Sequence, residues 1–135
     1  MVVHKIAGII LKDRKFLAVK TSDDEVLITP GGKVEKNETP EETLRRELRE
    51  ELDVELLSMK PFLTFMAKTD DNKSDLLWEG YFADVEGMPT PNSEIEKLFW
   101  LDSRFDEELK QLNENVSLPI KEIIIPKLLD MDLIE

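Results

Sequence analysis

The sequence predicts an α/β domain in which a mixed sheet lies between helices. Three observations predict it. Apolar, β-branched runs flank one strongly capped helical segment. No internal repeat or low-complexity linker divides the chain, and its 135 residues are the length of one domain, spanning 1–135. A hydrophobic content of 41% is enough for a core.

Val3 to Leu11 is apolar and β-branched, Lys12-Asp13-Arg14-Lys15 reads as a turn, and Phe16 to Val19 follows, which predicts a hairpin. Val26-Leu27-Ile28 reads as a short strand running into Pro30-Gly31-Gly32, where the glycines let the backbone approach a ligand. Lys33-Val34-Glu35 leaves that turn. Residues 40–52 read as a helix: Thr39-Pro40-Glu41-Glu42 is a capping box with Pro at the first helical position. Leu44, Leu48 and Leu52 form its apolar stripe. Phe62 to Ala67 and Leu76 to Val85 are strand-like and joined by the polar turn Asp70-Asp71-Asn72-Lys73. Gly87 to Ser93 is a loop, and Ile95 to Leu101 is a further strand. Phe105 to Leu112 and Pro119 to Leu129 read as helices, with Pro126 kinking or restarting the second.

Beside the leucine stripe the helix at 40–52 carries an acidic face. At about 100° per residue, Glu50 and Glu51 fall within roughly 60° of Glu47, on either side of it. Glu47 and Glu51 are like charges at i, i+4, which destabilises an isolated helix, and a divalent cation is the natural compensation. A solvated acidic helix is the plain alternative. Arg46 lies one turn before Glu50 and can orient Glu47.

Charge and composition exclude several functions. A net charge of −12 argues against direct binding of a nucleic-acid backbone, so phosphates should arrive with metal. Without Cys there is no disulfide or thiol chemistry. Val2-Val3 is followed at once by His4-Lys5, unlike a signal peptide, and no apolar run reaches membrane-spanning length. A cytoplasmic protein is the expectation.

Pro30-Gly31-Gly32, Glu38 and the run Arg46-Glu47-Leu48-Arg49-Glu50-Glu51-Leu52-Asp53-Val54 together resemble the Nudix box, the signature of Nudix hydrolases. One fixed position departs: Asp53 stands where the family has Gly, at a helix C′ position that favours φ > 0. Asp tolerates that conformation better than most residues, so the departure predicts a local stability cost. The resemblance extends more weakly from about residue 3 to about residue 130. It implies an α/β/α sandwich with a mixed sheet, and cleavage of nucleoside diphosphate derivatives with Mg²⁺ or Mn²⁺. It also implies that the Gly31 carbonyl, Glu47, Glu50 and Glu51 hold the metal, with Glu47 alternatively the base. Glu38 is expected to be structural, pairing with a basic group near the box.

Many family members carry a further Glu on the loop before a strand containing Trp. Trp100 marks that strand here, Glu94 matches best, Glu96 competes, and Glu79 is a more distant candidate. For substrate binding, Lys20 resembles a phosphate-gripping position. Asn115, with Asn113 and Ser117, lies where relatives read a base edge, and an amide offers both donor and acceptor. Trp78 and Phe82 share a strand face, as core or as a place for a base to stack. His4 is assigned no chemistry. No upstream extension resembles coenzyme A pyrophosphatases, and Pro61 falls too early to resemble the proline of ADP-ribose pyrophosphatases. The leading expectation is a nucleoside triphosphate pyrophosphohydrolase, oxidised nucleotides included. Alternatives are a hydrolase of another nucleoside diphosphate-linked molecule, or a sensing module that lost catalysis. A homodimer is left open.

Overall fold

The computed structural model describes residues 1–69 and 71–135. Its elements are β1 (Val2–Ile9), β2 (Leu11–Lys12), β3 (Lys15–Thr21), β4 (Gly31–Lys33), α1 (Pro40–Leu52), β5 (Glu55–Lys68), β6 (Asp75–Glu86), β7 (Ile95–Leu101), α2 (Phe105–Gln111), a π-helical turn (Ile120–Ile124) and α3 (Ile125–Asp130). Among the described residues the strands form two sheets: a mixed one in the order β4-β1-β6-β5, with β1 and β6 parallel, and an antiparallel one in the order β2-β3-β7.

β1 and β3 explain why apolar layers form on both sides of the sheets. Successive side chains on a strand point to opposite faces. Ala7, Ile9, Phe16 and Ala18 enter one core with Leu109, Ile120, Ile124 and Leu128. Their neighbours Ile6, Ile10, Leu17 and Val19 enter a second core with Leu44, Leu48 and Leu52 of α1. Strands buried on both faces lie between helices, which is the α/β/α arrangement.

Several local expectations need correction. The hairpin from Val3–Leu11 to Phe16–Val19 does not form as one unit. β1 pairs with β4 and β6 instead, and only Leu11–Lys12 folds back on Lys15–Phe16. Asp13 and Arg14, at φ 51° and 60°, make that tight turn, whose handedness suits a two-residue hairpin. Val26–Ile28 is not a strand. Ile28 bridges Val19 and Leu27 bridges Val116, so the segment is a single-contact wedge between β3 and the chain before the π turn. The strand expected at Phe62 begins at Glu55; Pro61 is tolerated because β5 is an outer strand and its register shifts between Pro61 and Leu63. Of the turn expected at Asp70-Asp71-Asn72-Lys73, Asp70 lies outside the described residues. The helix expected from Pro119 to Leu129 is interrupted as anticipated: Pro126 has no N–H, and the Ile125 N–H bonds the Ile120 carbonyl, five residues back, before α3 resumes.

Candidate active site on the box helix

The helix α1 starts and stops on its own side chains. The Thr39 hydroxyl accepts from the Glu42 N–H at 3.2 Å, and Glu42 returns a bond from the Thr39 N–H at 3.0 Å. At the other end Asp53 is left-handed, with φ 54° and ψ 44°, and its N–H closes the last turn on the Arg49 carbonyl. Two more carbonyls of that turn take bonds from the loop before β7: Thr90 N–H bonds the Leu52 carbonyl and Asn92 N–H that of Glu51, both at 3.0 Å. That loop is thereby fastened to the acidic face.

Gly32 lets α1 close onto β4, and Gly31 lets β4 close onto β1. A Cβ on Gly32 would lie 2.4 Å from the Glu47 carboxyl, and one on Gly31, at φ 134°, would lie 2.1 Å from the Ile6 carbonyl oxygen. The Gly31 N–H donates to Glu51 Oε1 at 2.8 Å. Arg46 is the organiser of the opposite flank. Its Nη1 donates to Glu47 Oε1 at 2.7 Å, its Nε to Glu38 Oε2 at 2.8 Å, and its Nη2 to Glu38 Oε1 and the Lys33 carbonyl. Glu38 also accepts from Glu35 N–H and the Thr43 hydroxyl. Arg46 and these bonds pull its carboxyl down to about 2, in keeping with a structural place.

Glu47 and Glu51 are held the other way. Burial pushes the Glu47 carboxyl up against the opposing pull of Arg46, with Glu50 and Glu94 adding repulsion. Burial pushes Glu51 up to about 8, opposed by the Gly31 N–H, while Glu47 and Glu94 repel it and Lys5 attracts it. Glu51 is 4% exposed. Glu50 reaches outward, its side chain 56% exposed and 3.7 Å from Arg46 Nη1. β7 starts at Ile95, which leaves Glu94 on the loop with its carbonyl bonded by Ser22 N–H. The Ser93 hydroxyl donates to the Glu94 carboxylate at 2.6 Å and holds it below the usual carboxylate range. Glu96 is exposed on β7. Glu79 is committed elsewhere, taking bonds from His4 Nε2 at 2.8 Å and the Tyr81 hydroxyl at 2.6 Å.

Among the described residues, no three Asp, Glu or His side chains are arranged to hold a metal ion as they stand. The donor set nonetheless fits a hard divalent cation. It is all oxygen, two of its carboxylates are buried against one another's charge, and Glu50 has room to turn.

On the other face of the sheet a cavity of about 880 Å³ lies between β1, β5 and β6 and the segment Asn115–Ile124. Lys5 and Lys33, a cross-strand pair, line it with the Phe65–Trp78 stack, whose ring centroids are 4.8 Å apart. Thr29 and Lys33 bring its wall to within two residues of Gly31. Asn115 and Ser117 face it, whereas Asn113 sits in a left-handed turn lining a smaller recess. Asn115 Oδ1 accepts from the Val116 N–H at 2.9 Å.

Lys20 does not line the cavity; its Nζ donates to Glu114 Oε1 at 2.7 Å. Glu114 had no place in the sequence reading, nor did Lys5 and Lys33 as cavity residues. Period-2 alternation from Val3 through Lys5 to Ala7 could have signalled Lys5. The pairing of residues 20 and 114 had no local signal.

The model of the NUDIX domain family matches residues 2–116. No curated protein matches the sequence. Among solved structures the chain is similar to the ORF135 protein of E. coli, at 26% identity and TM-score 0.70, over 98% of this chain and 90% of that one. It shares the fold of a MutT NUDIX hydrolase from Burkholderia pseudomallei, at 23% identity and TM-score 0.68, over 75% and 83% of the two chains. It also shares the fold of a NUDIX hydrolase from Nitrosomonas europaea, at 18% identity and TM-score 0.74, over 92% and 86%.

Proposed function

The chain belongs to the NUDIX family and is a Nudix hydrolase, and on that premise we propose that it cleaves a nucleoside triphosphate, oxidised bases included, to the monophosphate and pyrophosphate. The observation that carries this reading is the burial of Glu47 and Glu51, with Glu94 near enough to repel both, beside the close approach of Gly31-Gly32 on the edge strand β4. Buried carboxylates that repel one another are poor structural elements and good ligands for a hard cation.

In this reading the Gly31 carbonyl, Glu47, Glu50 and Glu51 hold Mg²⁺ or Mn²⁺, which when bound neutralises phosphate charge and makes the attacking water more acidic. Arg46 fixes the Glu47 carboxylate, and through Glu38 it ties α1 to the chain after β4. Glu94, ionised at neutral pH and with its carboxylate steadied by the Ser93 hydroxyl, is the group placed to accept the proton of the water. Lys5 and Lys33 place positive charge where phosphates pass from the cavity round the β4 edge. The base lies in the cavity, where Asn115 meets its edge. Lys20 acts by holding Glu114, and with it the neighbouring Asn115, instead of gripping phosphate itself.

A cavity of about 880 Å³ is roomy for a base alone and also favours a bulkier nucleoside diphosphate-linked substrate. One panel tests both. Nucleoside triphosphates and diphosphate-linked nucleotides are offered with Mg²⁺, with Mn²⁺, or with excess chelator. Pyrophosphate and monophosphate from a triphosphate, lost in chelator, support the leading reading. Full activity in chelator, or no turnover of any member, overturns it.

A further inference from the structure

Trp78 is 3% exposed, and among the described residues its indole N–H has no hydrogen-bond partner. A buried indole N–H ordinarily finds one. No fully enclosed side-chain nitrogen or oxygen is left without a partner among the described residues, so this N–H is not sealed in. The surroundings of the ring say where it opens. One face is covered by Phe65, in a near-parallel stack at 22°. The Cζ3–Cη2 edge lies against Gly80, where an added Cβ would come within 2.4–2.5 Å of it. The pyrrole end, carrying Nε1, points away from Gly80, and the residue lines the cavity.

A second donor meets the same space. The Val116 N–H occupies Asn115 Oδ1, so the bond network fixes the amide's orientation and leaves its NH₂ group as the free donor of a residue that lines both the cavity and the smaller recess beside it. Two neutral donors set in an apolar wall match an acceptor on a ligand and reject another donor, because an N–H facing an amino group stays unpaired.

We propose that Trp78 is a specificity-determining residue, whose indole N–H donates to the oxo group of an oxo-substituted nucleobase and disfavours the amino-substituted counterpart. This rests on the nucleotide reading of the cavity given above. It differs from stacking: Phe65 covers one face of Trp78, and the contact proposed for the ligand is with the N–H edge.

The probes are inosine and adenosine monophosphates, which present an oxo and an amino group at the same ring position, with inorganic pyrophosphate as the control for phosphate binding. In protein labelled with ¹⁵N-tryptophan the chain's two indole signals, Trp78 and Trp100, are followed by NMR. Inosine monophosphate should shift the Trp78 N–H strongly, adenosine monophosphate much less, and pyrophosphate not at all, with Trp100 on β7 changing little. In steady-state kinetics Trp78→Phe, which keeps an aromatic ring on Phe65, should raise KM for inosine triphosphate about 5- to 10-fold relative to adenosine triphosphate, with kcat unchanged. Equal Trp78 shifts with both monophosphates, or none while triphosphates are turned over, overturn the proposal and leave the hydrolase reading standing. No shift together with no turnover of any nucleotide overturns both. If Trp78→Phe fails to fold, the wild-type spectra decide alone.

Discussion

Glu51 and Glu114 are both nearly buried carboxylates, with 4% of the residue exposed in one and 7% of the side chain in the other, yet burial pushes Glu51 up to about 8 while Lys20 holds Glu114 below the usual range. Glu114 has Lys20 at 2.7 Å and Lys97 at 3.6 Å. Asp102, 1% exposed, has Arg104 at 2.7 Å and is lowered in the same way. Glu51 has a backbone N–H, the attraction of Lys5, and the repulsion of Glu47 and Glu94. The first kind of site is complete within the chain; the second, on the reading proposed above, is completed by a cation brought to it. That difference, more than the number of acids on α1, separates a working surface from a structural ion pair.

The largest effects that could break this contrast are on turnover. Glu50→Gln or Glu51→Gln should lower kcat by orders of magnitude while the melting temperature stays level or rises, since each change removes a ligand charge and relieves crowding. Wild-type turnover in both variants would leave the acidic face of α1 without a part in catalysis. Next in size, Glu94→Gln should cut kcat by about 10² to 10⁴ at neutral pH with KM little changed, as for a general base, whereas Glu96→Gln on the exposed strand position should do far less. A more damaging Glu96→Gln would shift the role onto β7.

Acid unfolding sharpens the other half of the comparison. Glu114 and Asp102 have lowered folded values, so their stabilisation is present above the unfolded carboxylate range and is lost as pH falls through the folded one. Melting temperature should fall on acidification below about pH 4.5, and Glu114→Gln should flatten that fall. An unchanged slope would show that the Lys20 pair adds nothing. The smallest effect is at the helix end. Asp53→Gly should raise stability by up to about 1 kcal/mol in denaturant titration, because Gly adopts φ 54° without a Cβ penalty. A loss of stability would mean that the Asp53 side chain contributes more than its backbone strain removes.

These contrasts also mark what could be read from sequence. α1 spans Pro40–Leu52, the range its cap, proline and leucine stripe predicted, because those signals lie within a few residues of one another. β7 runs from Ile95 to Leu101, as its apolar run suggested. Elements defined by distant partners were illegible. Nothing in Val26–Ile28 tells that each side offers only one bridge, and nothing near Val3 tells that β1 turns to β6 and away from β3. At the site, the acidic run on α1 and Gly31-Gly32 were visible, but their opposite couplings were not: Glu51 depends on how deeply α1 docks, and Lys20 on a partner 94 residues away.

The most direct test of the contrast is cation binding read by thermal melting, comparing wild type with the Glu47→Gln/Glu51→Gln double variant in Mg²⁺, in Mn²⁺ and in chelator. A ligand that binds the folded state raises its melting temperature in proportion to the logarithm of its concentration once binding saturates. Both metals should therefore raise the wild-type melting temperature, and the double variant should be no less stable than wild type in chelator but gain little from either ion. A wild type indifferent to both metals, or a double variant that gains as much as wild type, would contradict the account.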